Sequence, residues 1–92
     1  MGAVRDTIVR KLDTQLRPTA LAVDDESHLH AGHAGARPEG ETHFRVTITA
    51  EAFRGATRIA RHRMVNEALA EELAGPVHAL AIRAYAPGED ER

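Results

Sequence analysis

Ninety-two residues suffice for one domain, and a chain of that length buries only about 60–65% of the surface its unfolded form exposes, so its core is small. Hydrophobic residues make up 42% and aromatics only 3%, the formal net charge is −2, and there is no cysteine. This composition excludes a disulfide framework and any thiolate ligand or nucleophile from the chain itself, and it argues against generic phosphate binding or extended base stacking as the main task.

The first element is a helix, because Val4, Ile8, Leu12 and Leu16 recur every four residues with Val9 beside them and charges elsewhere. Pro18 ends it. Charges interrupt the apolar pattern from Met1 to Leu16, so the expectation is a soluble, cytoplasmic protein with no membrane association. From Thr19 to Glu26 the alternation of Leu21 and Val23 predicts a strand, and Ser27 to Gly40, rich in Gly, His and Ala with Pro38, predicts a long loop. Thr42 to Thr49 alternates Phe44, Val46 and Ile48 with Arg45, Thr47 and Thr49, the pattern of a strand with one buried face.

A turn around Phe53-Arg54-Gly55 leads into a second helix over Thr57 to Ala74. At 100° per residue, His62, Val65, Leu69 and Leu73 fall within roughly 40° of one line. Gly75-Pro76 stops this helix, and Val77 to Tyr85 reads as a third strand with His78, Leu80 and Ile82 on one face and Val77, Ala79, Ala81 and Arg83 on the other. The order α-β-β-α-β predicts an α+β fold with a three-stranded mixed sheet and helices packed on one face, the second and third strands running parallel across a helical crossover. Residues 1–86 form the single predicted domain, and residues 87–92 read as a flexible charged tail that buries nothing.

Six histidines raise the question of a metal site. His28, His30 and His33 crowd the predicted loop and His78 opens the last strand. Neutral imidazole is a good ligand for iron or zinc, and a loop can bring one ring to a fixed one. No stretch has a recognised ligand spacing, so solvated loop histidines and a satisfied strand residue are the alternative on spacing alone. His62, on the apolar helix face, reads as a buried, hydrogen-bonded residue fixing helix to sheet, and His43 reads as structural as well. Neither has a Ser or Cys arranged for nucleophilic catalysis, and without paired carboxylates or a phosphate-cradling loop the chain is not expected to be an enzyme.

Arg54, Arg58, Arg61 and Arg63 gather at the start of the second helix, whereas Glu67, Glu71 and Glu72 follow in its later half. That order opposes the helix dipole at about 0.3–1 kcal/mol for each well-placed exposed charge. Contact with phosphate or with a protein partner through Arg58, Arg61 and Arg63 explains such a placement, as does a solvated face with an Arg63–Glu67 pair in its less favourable orientation. Gly32-His33-Ala34-Gly35 has the G-x-x-G spacing of a KH loop but lies between strands instead of between helices, so it does not predict RNA clamping.

Taken together, Phe53-Arg54-Gly55, Arg61-His62-Arg63-Met64-Val65, Leu73-Ala74-Gly75-Pro76-Val77-His78-Ala79-Leu80 and, upstream, Glu41-Thr42-His43-Phe44-Arg45-Val46 and Asp25-Glu26-Ser27 resemble the BolA family over roughly two thirds of the chain. The resemblance implies a class II KH-like arrangement of the same elements. It also implies a monothiol glutaredoxin partner and a shared [2Fe-2S] cluster, with His78 as one ligand and a second from the loop, where His30 matches best, His33 competes and His28 is third. The missing thiolates would come from the partner and from glutathione, so no cluster is expected in the isolated protein, which would be a monomer or a weak homodimer. Histidine replaces cysteine on one iron of Rieske centres, and protonated imidazole cannot bind metal, which suits cluster delivery or iron sensing better than storage. The resemblance also implies, as an alternative, a DNA-binding transcriptional regulator using the basic start of the second helix.

Overall fold

The four-residue spacing of Val4, Ile8, Leu12 and Leu16 does produce a helix, α1 (Ala3–Leu16), in the computed structural model, which describes residues 2–26 and 42–89. Ile8 and Leu12 are fully buried, with Val4, Val9 and Leu16 packed against the same core. Each such aliphatic side chain contributes about 1.5–3 kcal/mol when removed from water. The helix ends at Arg17, whose backbone turns left-handed (φ 49°, ψ 58°) because the following Pro18 disfavours a further helical residue.

Three strands follow: β1 (Ala20–Asp25), β2 (His43–Thr49) and β3 (Ala79–Tyr85). The sheet order is β1-β2-β3, with β1 antiparallel and β3 parallel to β2. The register aligns Val23, Val46 and Ile82 in one row and Leu21, Ile48 and Ala84 in the next, so one face is apolar and receives the helices. The opposite face carries the row Ala22, Thr47 and Arg83. Period-two alternation in β2 therefore sets which side the helices cover.

Phe53 closes a short 3₁₀ turn (Glu51–Phe53) and is fully buried, while Gly55 (φ 79°) takes a left-handed conformation that favours glycine and leads to the next helix. Helix α2 (Arg58–Ala68) starts at Thr57, whose hydroxyl accepts the Ala60 N–H at 3.0 Å. The single predicted helix to Ala74 is instead two, since the backbone leaves helical geometry at Leu69 (φ −110°, ψ 22°) before α3 (Ala70–Ala74). Leu69 is buried at this bend, and Glu72 beyond it meets Lys11 of α1 at 2.9 Å, so tertiary contacts outweigh helix continuity here.

Two other predicted boundaries also move. The third strand begins at Ala79 instead of Val77, and the predicted alternation fails before it: Val77 is buried and His78 exposed, because neither belongs to the ladder. The predicted tail at 87–92 is docked as far as Glu89. Ala86-Pro87-Gly88-Glu89 makes a turn closed by the Glu89 N–H to the Ala86 carbonyl at 3.0 Å, with Gly88 at φ 91°. Among the described residues no helix is long and apolar enough to cross a membrane.

Candidate functional site

At one end of the sheet three chain segments are tied together by backbone hydrogen bonds. The Glu26 N–H donates to the His43 carbonyl at 2.7 Å, and the Thr42 carbonyl accepts both the His78 N–H (2.7 Å) and the Ala79 N–H (3.1 Å). His78 is thus held by its backbone at the entrance to β3 while its side chain is exposed. Its ring nitrogens make no hydrogen bond among the described residues. The ring lies 5.2 Å, centroid to centroid, from that of His43, tilted by 53°.

His43 is different in kind. It is 7% exposed, and its Nδ1 is 2.8 Å from the Thr42 hydroxyl, itself fully buried. The structural reading of His43 therefore agrees with its position. The segment that carries His28, His30 and His33 leaves from Glu26 and returns at Thr42, so both its anchors lie at the same end of the sheet as His78. Those three histidines fall outside the described residues. Among the described residues no three His, Asp or Glu side chains converge as a metal site.

A second region lies where the start of α2 meets the end of β3. A cleft of about 510 Å³ is lined there by Arg58, Arg61, His62, Arg83, Tyr85 and Glu89, among others. The arginines have separate fates. Arg54 forms an ion pair with Glu51 on the preceding turn. Arg61 is turned inward: its Nε donates to the Ala56 carbonyl at 2.9 Å, and its terminal nitrogens reach the Ala84 carbonyl (3.1 Å) and both oxygens of Glu89 (2.6 and 3.2 Å). Hydrogen bonding from Arg61, aided by the Ala86 N–H, holds the Glu89 carboxyl down at about 2.

Arg61 thus serves to clasp α2, β3 and the C-terminal turn, and its guanidinium is not presented outward as the predicted contact requires. Arg58 and Arg63 are exposed and form no ion pair among the described residues; the considered Arg63–Glu67 pair is not formed. His62 is half-buried, not buried, and makes no side-chain hydrogen bond among the described residues, which corrects its predicted role as a bonded link to the sheet. Beside it, Ile59 is 71% exposed on a shallow groove shared with Arg63, Asn66 and Glu67. The Arg61–Glu89 clasp escaped sequence reasoning, although Pro87-Gly88, a frequent central pair of a type II turn, was its available signal.

The arrangement matches a known family. The family model described as BolA-like protein covers residues 12–89. This chain belongs to the BolA family. BolA-like protein 1 of Mus musculus is 49% identical over 88 residues, which span 96% of this chain and 61% of the mouse protein, so the chain covers less than two thirds of that relative. The DNA-binding transcriptional regulator BolA of Vibrio cholerae is 43% identical over 86 residues, 94% of this chain and 77% of that one. Among solved structures, the BolA domain of SufE1 from Arabidopsis thaliana superposes with a TM-score of 0.85 at 40% identity, covering 95% of each chain. The α+β arrangement of a three-stranded mixed sheet with helices is that of these BolA domains.

Proposed function

We propose that this BolA-family chain is a non-catalytic partner of a monothiol glutaredoxin, with which it co-ligates a [2Fe-2S] cluster for cluster delivery and maturation or for iron sensing. The observation that carries the reading is His78: an exposed imidazole on a backbone pinned by Thr42, with ring nitrogens that make no hydrogen bond among the described residues, at the sheet end where the histidine-bearing segment is anchored. Imidazole suits iron, and a second imidazole from His30, His33 or His28 would complete this chain's share. The other ligands must be thiolates from elsewhere, since the sequence has no cysteine. Glutathione and the glutaredoxin supply that chemistry. The bound cluster would be the cargo delivered or the means of sensing iron, and this chain's residues would hold and orient it.

The test is to mix the purified protein with cluster-loaded monothiol glutaredoxin and glutathione and to record visible absorption and iron content. A spectrum distinct from that of glutaredoxin alone, carried by a complex of the two proteins, is expected. A stoichiometric [2Fe-2S] centre in the isolated chain, or an unaltered glutaredoxin spectrum, overturns the reading.

A second reading, a cytoplasmic DNA-binding regulator, is favoured by one observation: Arg58 and Arg63 stand exposed and without ion pairs among the described residues on a helix whose dipole does not call for them. A relative named as a DNA-binding regulator supports it. The surface for it is narrower than the sequence suggests, because Arg61 is engaged internally. The two readings use different ends of the fold and are separable by substitution.

A further inference from the structure

We infer that His43 is the positioning residue for His78, holding the exposed imidazole in one orientation through ring contact while taking no part in ligation itself; this rests on the ligand role proposed for His78. The two histidines differ in burial and bonding. His78 has a fixed backbone but no side-chain hydrogen bond among the described residues, so no polar contact among them selects its rotamer. A histidine that binds metal ordinarily has its second nitrogen bonded to a carboxylate, carbonyl or water that orients the ring. That device is missing for His78 among the described residues. Among the described residues its ring pairs with that of His43, at 5.2 Å between centroids and 53° between planes, within the range of tilted aromatic pairs.

His43 is built to be such a platform. It is buried, it lies in the first register position of β2 opposite Ala79, and its Nδ1 is fixed by the buried Thr42 hydroxyl at 2.8 Å. Thr42 acts twice: its carbonyl holds the His78 backbone and its hydroxyl holds the ring against which the His78 side chain rests. Backbone and side chain of the proposed ligand are therefore located by two consecutive residues of one strand entrance. A reduction in rotamer freedom before binding lowers the entropy cost of ligation, which is how a preorganised ligand gains affinity.

The experiment uses His43→Ala, which removes the platform, and His43→Phe, which keeps a ring but has no nitrogen to ligate. In the free 92-residue chain, side-chain couplings measured by NMR are expected to report one His78 rotamer for wild type and His43→Phe, and averaging in His43→Ala. In the mixture with cluster-loaded glutaredoxin, His43→Ala is expected to weaken cluster retention by roughly 10–100-fold, as second-sphere substitutions do, with His43→Phe restoring most of it. Should His43→Ala fail to fold, His43→Leu, which fills the buried space without a ring, is expected to show rotamer averaging at His78 in a folded chain, and a single rotamer there overturns the inference.

A single His78 rotamer in the folded His43→Ala protein, or an averaged ring already in wild type, overturns the inference. Equal loss of cluster in folded His43→Phe and His43→Ala also overturns it, because His43 would then itself be a ligand. If wild type forms no shared cluster while the free-protein rotamers respond as described, the positioning stands and the proposed function falls.

Discussion

Replacing His78 by alanine separates a ligand from a structural residue, because the two roles predict very different stability costs. The substitution keeps the backbone N–H, so the bond to the Thr42 carbonyl at 2.7 Å survives. What disappears is an exposed side chain whose ring packs on His43. An aromatic pair contributes about 0.5–1.5 kcal/mol beyond burial, and the exposed position favours the lower half of that range. For a domain of this size each 1 kcal/mol moves the melting temperature by about 4–8 °C, so the expected fall is about 2–8 °C. Far-ultraviolet circular dichroism melts of the free protein measure it, and visible circular dichroism of the glutaredoxin mixture measures the cluster. The expected result is a modest shift in melting with loss of the shared-cluster signal. An unchanged cluster signal in the folded variant removes the ligand assignment, and a melting loss of about 20 °C or more on this scale places His78 among the core residues instead.

Phe53→Ala deletes a fully buried ring in the turn after β2 and is expected to cost about 3–5 kcal/mol in urea unfolding, a large share of what a small domain possesses. The Glu89 carboxyl, held at about 2 against an ordinary 4.5, strengthens the C-terminal turn fully above pH 4.5 and loses that contribution as pH falls through about 2. The Ala86 amide, which donates to Glu89 Oε1 at 3.0 Å, should report this as an acid-limb NMR titration that Glu89→Gln abolishes. Combined Arg58→Ala and Arg63→Ala substitution should weaken any duplex-DNA binding and lower the slope of log affinity against log salt by roughly 0.9 for each phosphate no longer neutralised, leaving the shared cluster intact. Arg61→Ala should instead release the C-terminal turn, seen as loss of the Glu89 titration from the Ala86 amide.

Local pattern alone determined much of this protein. The four-residue spacing of α1, the alternation of Phe44, Val46 and Ile48, and the stop at Gly75-Pro76 each reflect one element's periodicity and need no partner to be legible. The absence of cysteine and the motif around Val77-His78-Ala79-Leu80 were likewise complete in one dimension. What escaped depends on residues far apart in the chain. The bend at Leu69 accompanies an ion pair between Glu72 and Lys11, sixty-one positions away, which helix periodicity does not contain. Arg61 and Glu89 are separated by twenty-eight positions, so an arginine that reads as a surface cation became an internal clasp once the C-terminal turn closed over it. His43 and His78 read as unrelated histidines because parallel pairing of β2 with β3 is what sets them ring to ring. Short-range periodicity fixes which face of an element is apolar, whereas the partner of a polar side chain depends on which distant segment the packed core brings within hydrogen-bonding reach.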